Sequence, residues 1–405
     1  MKEEWEIKPF GEVCEIVGGS QPPKKDFIFE PREDYIRLIQ VRDYRTDKYI
    51  TYIPKEKAKR FCTKTDIMIG RYGPPIFGIF EGLEGAYNVA LMKAVPNEEK
   101  LNKVYFRWFL HNPDIIKFVE KTSKRAAGQD GVRKERLYAY PVPIPSLPEQ
   151  KQIVAILDKA FAAIDQAKAN IERNIQNAKE LFQSKLNEIF SQKGKGWEEE
   201  KLKEITTKIG SGATPRGGQS SYKETGISLI RSMNVHDDGF REKKLAFIDE
   251  EQAKKLDNVT IYENDVLLNI TGASVARCCI VDEKYLPARV NQHVSIIRLK
   301  ENILDHKFLH YALTSQTNKE LLLGIGAQGA TRQAITKVQI ENFSVRFPSS
   351  IKEQKSLVKS IGAIEILSNE MESILKKKLD NLEDLKKSIL QKAFSGELTK
   401  NPVAV

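Results

Sequence analysis

Over two long stretches of the chain, apolar positions recur at spacings near three and four, and each stretch predicts a helix far longer than a small domain needs. In the second stretch, Leu357, Ile361, Ile364, Met371, Leu375, Leu379, Leu382, Leu385 and Ile389 share one stripe, with no Pro or Gly from Ala363 to Ser395. In the first, Ile153, Leu157, Ala160, Ile164, Ala167, Ile171, Ala178 and Leu181 form a matching stripe. Pro148 and Pro348 stand just upstream, and Gly194-Lys195-Gly196 and Gly396 end the two runs. A helix of about 40 residues is roughly 60 Å long.

Outside these stretches the pattern changes. Short runs such as YIRLIQV, TDIMIGRYG, VALMKAV, NDVLLNITG and HVSIIRL are bounded by Gly, Asp and Asn and predict strands with turn-rich connections. Helices are expected at Asn102 to Ser123 and Asp305 to Leu323. Strand and helix do not alternate regularly, which favours α+β over a doubly wound sheet.

The chain is written twice. WEIKPFGEVCEIVGGSQPP from Trp5 lies over WEEEKLKEITTKIGSGATP from Trp197, IRLIQVRD from Ile36 over ISLIRSMN from Ile227, and DIMIGRYG from Asp66 over DVLLNITG from Asp265. AGQDGVRK from Ala127 lies over GAQGATRQ from Gly326, and from Glu149 to Ser191 the match to Glu353–Ser395 needs no gap. The expected organisation is a first globular domain over 1–148, a helix over 149–193, a second globular domain over 194–350, a helix over 351–400 and a tail over 401–405. Because the second domain begins where the first helix ends, burying the two stripes against each other makes the helices antiparallel. The prediction is a pseudo-two-fold coiled coil with a globular unit at each end. Its interface would use Ile153, Leu157, Ile164, Ile171 and Leu181 against Leu357, Ile361, Ile364, Met371, Leu375, Leu382 and Leu385.

At 405 residues, with 40% hydrophobic and 30% charged positions, the chain can bury two cores, and no apolar run reaches membrane-spanning length. The acidic start MKEEWEIKPF lacks the order of a secretory signal, so a cytoplasmic protein with no membrane partner is expected. The four cysteines show no CxxC spacing, which suggests buried thiols.

The sequence carries no constellation for catalysis. There is no GxxxxGK[ST] loop, HExxH, GxSxG or dinucleotide fingerprint, and Gly73-Pro74-Pro75-Ile76-Phe77 lacks the amide that a base methyltransferase needs. His306 and His310 could share a helix face, but no third metal ligand lies near. The net charge of +10 instead suits a polyanion; the helices hold +3 of it and the rest lies in the globular parts and connectors. Arg reads guanine and Asn or Gln reads adenine, because each matches two base-edge groups at once. Such residues recur in both halves: Gln40, Arg42, Arg71, Tyr72, Asn88, Lys124, Arg125, Gln129 and Arg133 in the first, and Arg216, Arg231, Asn234, Asn269, Thr271, Arg289, Asn291, Gln292, Gln328 and Arg332 in the second. Singly, each is an ordinary surface or turn residue; as a set they are candidate DNA contacts.

The chain resembles the specificity subunits of type I restriction-modification systems. The resemblance rests on the Trp-Glu opening of each half, the Glu149-Gln150 and Glu353-Gln354 pairs followed by Ile-Val and Leu-Val, the Phe-Ser closing each long helix, Gly210 to Pro215 and Gly326 to Gln328. Gly19-Ser20-Gln21-Pro22 and Ala127 to Asp130 depart from the family's glycine-rich forms. The resemblance implies a subunit that catalyses nothing itself, with two target recognition domains reading a bipartite site in double-stranded DNA. It implies helices that hold two methyltransferase subunits, with restriction subunits completing the complex. No cofactor would bind this chain; S-adenosylmethionine, ATP and magnesium would belong to the partners. A self-sufficient DNA-modifying or DNA-cutting enzyme, and a coiled-coil scaffold that ignores nucleic acid, are the competing readings.

Overall fold

The computed structural model describes residues 4–73, 75–124, 130–191, 196–327 and 333–399. The chain divides into two compact units, Met1–Ile171 with Lys376–Val405, and Glu172–Leu375, so each long helix contributes one part to each unit.

In the first unit, Glu6–Pro9 pairs with Pro141–Ile144, and two four-stranded sheets follow. One runs Cys14–Gly18, Leu91–Pro96, Ile67–Gly70, Ile79–Phe80 with antiparallel neighbours. The other runs Tyr52–Pro54, Tyr35–Ile39, Gly85–Tyr87, Phe61–Cys62, and its central pair is parallel. The second unit repeats this strand order. Trp197–Lys201 pairs with Ser344–Pro348. One sheet runs Thr206–Ser211, Val294–Leu299, Val266–Asn269, Cys278–Ile280. The other runs Ala246–Ile248, Ile227–Ile230, Ala288–Val290, Thr260–Ile261, again with a parallel central pair. The second unit adds a small hairpin, Val235–His236 with Gly239–Phe240. The α+β expectation therefore holds in both halves.

Both expected domain helices are interrupted. Asn102–Ser123 contains helices Lys103–Leu110 and Pro113–Ser123, because Asn112 precedes a proline, takes an extended conformation and caps the second helix through its side chain. The other region contains His306–Thr314 and Gln316–Ala327, separated by extended Ser315.

The long helices span Leu147–Ser191 and Ile351–Ser395, with Pro148 inside the first turn of one and Gly396 left-handed after the other. In the first unit, Lys168 meets Glu383 and Lys386 meets Asp165, so numbers fall on one helix as they rise on the other. In the second unit, Lys179 meets Glu372 at 3.0 Å while Leu186 clusters with Ile361, so the numbers again fall on one helix as they rise on the other. The helices are antiparallel within each unit.

Their apolar faces also complete the domain cores. Ile153, Leu157, Phe161, Ile164, Leu390, Ala393 and Phe394 are buried with Phe10, Tyr105, Phe106 and Phe109. In the second unit Leu186 and Ile361 pack on Tyr311, while Phe190 and Leu357 pack against the core of Phe308 and Phe347. Leu375 is buried, and Ile171, Ile364 and Leu382 are half-buried. Leu181, Met371 and Leu385 are instead 58%, 52% and 47% exposed, which removes them from the buried seam expected for them. Which positions along a helix are covered is set instead by domain residues such as Tyr311 and Phe109 that pack against it.

The Glu-Gln pairs have a structural cause. Gln150 and Gln354 are fully buried. Gln150 Oε1 accepts from Asn102 N at 2.7 Å while its Nε2 donates to the carbonyls of Lys100 and Pro145. Gln354 does the same with Asp305 N and the carbonyls of Ile303 and Pro348. Asn102 and Asp305 in turn cap the helices that follow them. Each glutamine thus ties the start of a long helix to the start of a domain helix, satisfying three backbone groups that would otherwise be buried unpaired.

Candidate nucleic-acid interface

In each unit the strand order carries the ends of the parallel pair and of the longest antiparallel strands to one edge, and the loops leaving them are stitched together by equivalent bonds. Asn88 N donates to the Ile39 carbonyl and Asn291 N to that of Ile230, both at 3.1 Å. The Asn88 and Asn291 side chains accept from Ala90 N and His293 N, at 3.1 and 3.0 Å. Arg71 N reaches the Ala90 carbonyl, and Ile270 N that of His293. Val132 N and Ile335 N then bond to the carbonyls of Arg71 and Ile270. Two glycines permit the closest approach: a Cβ on Gly19 would stand 1.9 Å from the Asn88 carbonyl oxygen, and one on Gly212 1.8 Å from that of Val290.

This framework decides which candidate side chains face outward. In the first unit, Gln40 Nε2 bonds Thr51 Oγ1, and exposed Arg42 reaches the Tyr49 carbonyl with its guanidinium 5.4 Å from the Tyr49 ring centroid. Arg71 lies 4.9 Å from the Tyr72 ring centroid, both half-exposed. Arg133 Nη2 donates to the carbonyl of exposed Lys124. Gln40, Arg42, Arg71, Tyr72, Lys124 and Arg133 therefore gather on loops at one edge. Beneath Arg42, Asp43 is buried, and burial raises its carboxyl above the usual range despite the Gln40 backbone N–H.

In the second unit, half-exposed Arg231 lies 5.3 Å from the Tyr222 ring centroid and donates to the Lys244 carbonyl. Thr271 Oγ1 and His293 Nδ1 lie 2.6 Å apart. Exposed Gln292 accepts from Thr214 Oγ1, and Arg216 is exposed on the loop that follows.

Other candidates are turned inward. Asn234 and Asn269 are fully buried; Asn234 accepts from Arg231 N and donates to the Arg241 carbonyl, while Asn269 donates to the carbonyl of Ser232. Asn88 and Asn291 are spent on the loop framework, and Arg289 is 7% exposed, bound to Asp257 at 2.7 Å and to the Ala253 carbonyl. These five expectations are corrected: their side chains are committed to bonds inside the unit, and breaking such a bond so that a buried polar group is left unpaired would cost about 1–3 kcal/mol. Arg125, Gln129, Gln328 and Arg332 lie outside the described residues. Tyr49, Tyr222 and His293 were not among the candidates, although an aromatic near a loop arginine is the pattern that signals the first two.

No three potential metal ligands gather among the described residues. His310 bonds the Cys278 carbonyl at 3.2 Å, and burial lowers both it and His306 below the usual imidazole range. All four cysteines are free and buried. Among the described residues no helix is long and apolar enough to cross a membrane.

What these edges present is guanidinium and ammonium groups, several braced by aromatic rings, beside amide and hydroxyl groups. A guanidinium can span two acceptors of guanine or one phosphate, and ring stacking reduces its freedom before contact.

Comparison with known proteins agrees with the repeat. The chain is 23% identical to the type I restriction enzyme MjaVIII specificity subunit of Methanocaldococcus jannaschii, covering 98% of this chain and 93% of that one. It is 25% identical to the EcoBI specificity subunit of Escherichia coli, over 93% and 82%. Among solved structures, a chain from a study of complex assembly and conformational transition in a type I R-M system superposes with TM-score 0.77 at 19% identity, covering 97% and 98%. The HsdS subunit of Thermoanaerobacter tengcongensis does so with TM-score 0.58 at 19% identity, covering 98% of each chain. The family model for the type I restriction modification DNA specificity domain matches residues 2–177 and again 194–383, and the chain belongs to that family.

Proposed function

We propose that the chain is the DNA-recognition subunit of a type I restriction-modification complex, with each unit reading one half of a bipartite duplex site. The observation that carries this reading is the repeated loop framework, which brings Arg42, Arg71, Tyr72, Lys124 and Arg133 to one edge in the first unit and Arg216, Arg231, Thr271 and Gln292 to the equivalent loops in the second. Phosphate contacts set position and base-edge contacts set sequence. The subunit itself catalyses nothing. Two methyltransferase subunits bind along the long helices and bring S-adenosylmethionine, and restriction subunits bring ATP and magnesium chemistry, all in the cytoplasm. The long helices set the gap between the half-sites.

The test is methylation-site mapping in cells that express the chain with its methyltransferase subunit. A split site is expected, with Arg71→Ala relaxing one half by roughly 5- to 150-fold, the worth of one bidentate base contact. A deletion of one matched heptad from both helices is expected to alter the gap. Methylation at a continuous site, or by the chain alone, would overturn the reading.

A further inference from the structure

The two loop frameworks are equivalent in backbone and differ in the side chains they carry at matching places. Ala90 and His293 occupy the same place: each N–H donates to the preceding asparagine side chain, and each carbonyl accepts from the strand-end residue, Arg71 or Ile270. In the first unit Ala90 carries no polar side chain, and the neighbouring strand end supplies Arg71 and Tyr72. In the second, Ile270 and Thr271 stand there, and the polar group is the imidazole of His293.

That imidazole is held in place. Its backbone is fixed on both sides by the hydrogen bonds above, and its ring is fixed by Thr271 at Nδ1. Thr271 is itself tied down through its bridge to Ala334. When the Thr271 hydroxyl donates to Nδ1, the proton of the neutral ring sits on Nε2. Nε2 has no partner in the protein among the described residues, and His293 is half-exposed beside exposed Gln292. A ring whose orientation is set by a second side chain, with its remaining donor unpaired among the described residues, is preorganised for an external acceptor.

We infer that His293 reads a hydrogen-bond acceptor on a base edge in the half-site bound by the second unit, with Thr271 as its positioning residue. In the major groove the acceptors are guanine N7 or O6, adenine N7 and thymine O4. The inference rests on the DNA-recognition reading proposed above.

The test uses the complex with its methyltransferase subunits and duplexes carrying each base at every position of the mapped site. His293→Ala is expected to lose about tenfold discrimination at one position of one half-site, with the other half-site unchanged, in line with a single base contact. His293→Gln, which keeps a donor but changes its reach, is expected to change the preferred base there. Thr271→Val should produce a smaller loss at the same position, and Thr271→Ser should restore it. Thermal melting of each variant separates misfolding, which would weaken all positions together. Unchanged base preference overturns the inference, as does a uniform loss on every sequence with a shallower salt dependence, the signature of a phosphate contact. If the unaltered complex recognises no split site, the functional reading itself fails and this inference with it.

Discussion

The two units share strand order, capping glutamines and loop framework, yet they finish their cores differently. In the first, Phe394 is 4% exposed and packs edge-on against Tyr105 and Phe109, while Leu398 joins the same core and Thr399 Oγ1 donates to Glu149, which also accepts from Trp5 Nε1. In the second, the equivalent Phe190 is half-buried against Phe308. At the matching strand end the two units also differ, with Arg71 beside Tyr72 in one and a His293 imidazole held by Thr271 in the other. Shared geometry with unshared side chains separates what the repeat needs in order to fold from what each copy is free to specialise.

The largest test of this contrast is a pair of truncations. Phe394→Ala should destabilise its unit by about 3–5 kcal/mol, as for a large aromatic removed from a packed core, and Phe190→Ala by less. Chemical denaturation that ranks them equal would erase the distinction. Gln150→Leu and Gln354→Leu sharpen the shared part: each strands buried backbone groups and should cost about 3 kcal/mol, by the penalty for unsatisfied polar groups. Unequal costs in the two halves would show that the glutamines are not equivalent.

The smallest expected effect is a pH dependence. Burial lowers the pKa of His111 in the first unit and of His306 and His310 in the second. The unfolded chain takes up protons near the ordinary imidazole value of about 6.5 while the folded groups remain neutral, so stability is retained above that pH and declines as pH falls below it. His310→Gln, which keeps a donor toward the Cys278 carbonyl, should make the decline shallower. A melting temperature with the same slope below pH 6.5 in both proteins would remove His310 from the account.

Much of the fold was legible because strands and long helices write their periods into the chain. Tyr35–Ile39, Ile67–Gly70 and Val266–Asn269 lie inside the runs that alternation and turn residues picked out. The break at Asn112 was also written, in the Asn-Pro step, whereas Ser315 carries no comparable mark. The phase of the long helices was not legible beyond a few turns, since which face is buried depends on domain residues such as Tyr311 and Phe109, far away in sequence. At the candidate edge, residue type marked outward residues such as Arg42 and Arg216 but could not tell which side chains turn inward. Asn269 could be seen as an amide near a strand end; that it turns inward to the Ser232 carbonyl depends on backbone 37 residues away. His293 lies beside the candidates Asn291 and Gln292 yet is not itself among them, because the Thr271 hydroxyl that holds its ring is brought there only by the fold.

Gly19 and Gly212 set a limit on how such a surface can be diversified. Even one added methyl group at either position collides with a backbone carbonyl oxygen of the neighbouring segment. Libraries built to retarget the protein can therefore randomise the outward side chains around these two points, but they must leave the glycines themselves alone, because a new specificity is worth nothing if the loops that display it are pushed apart.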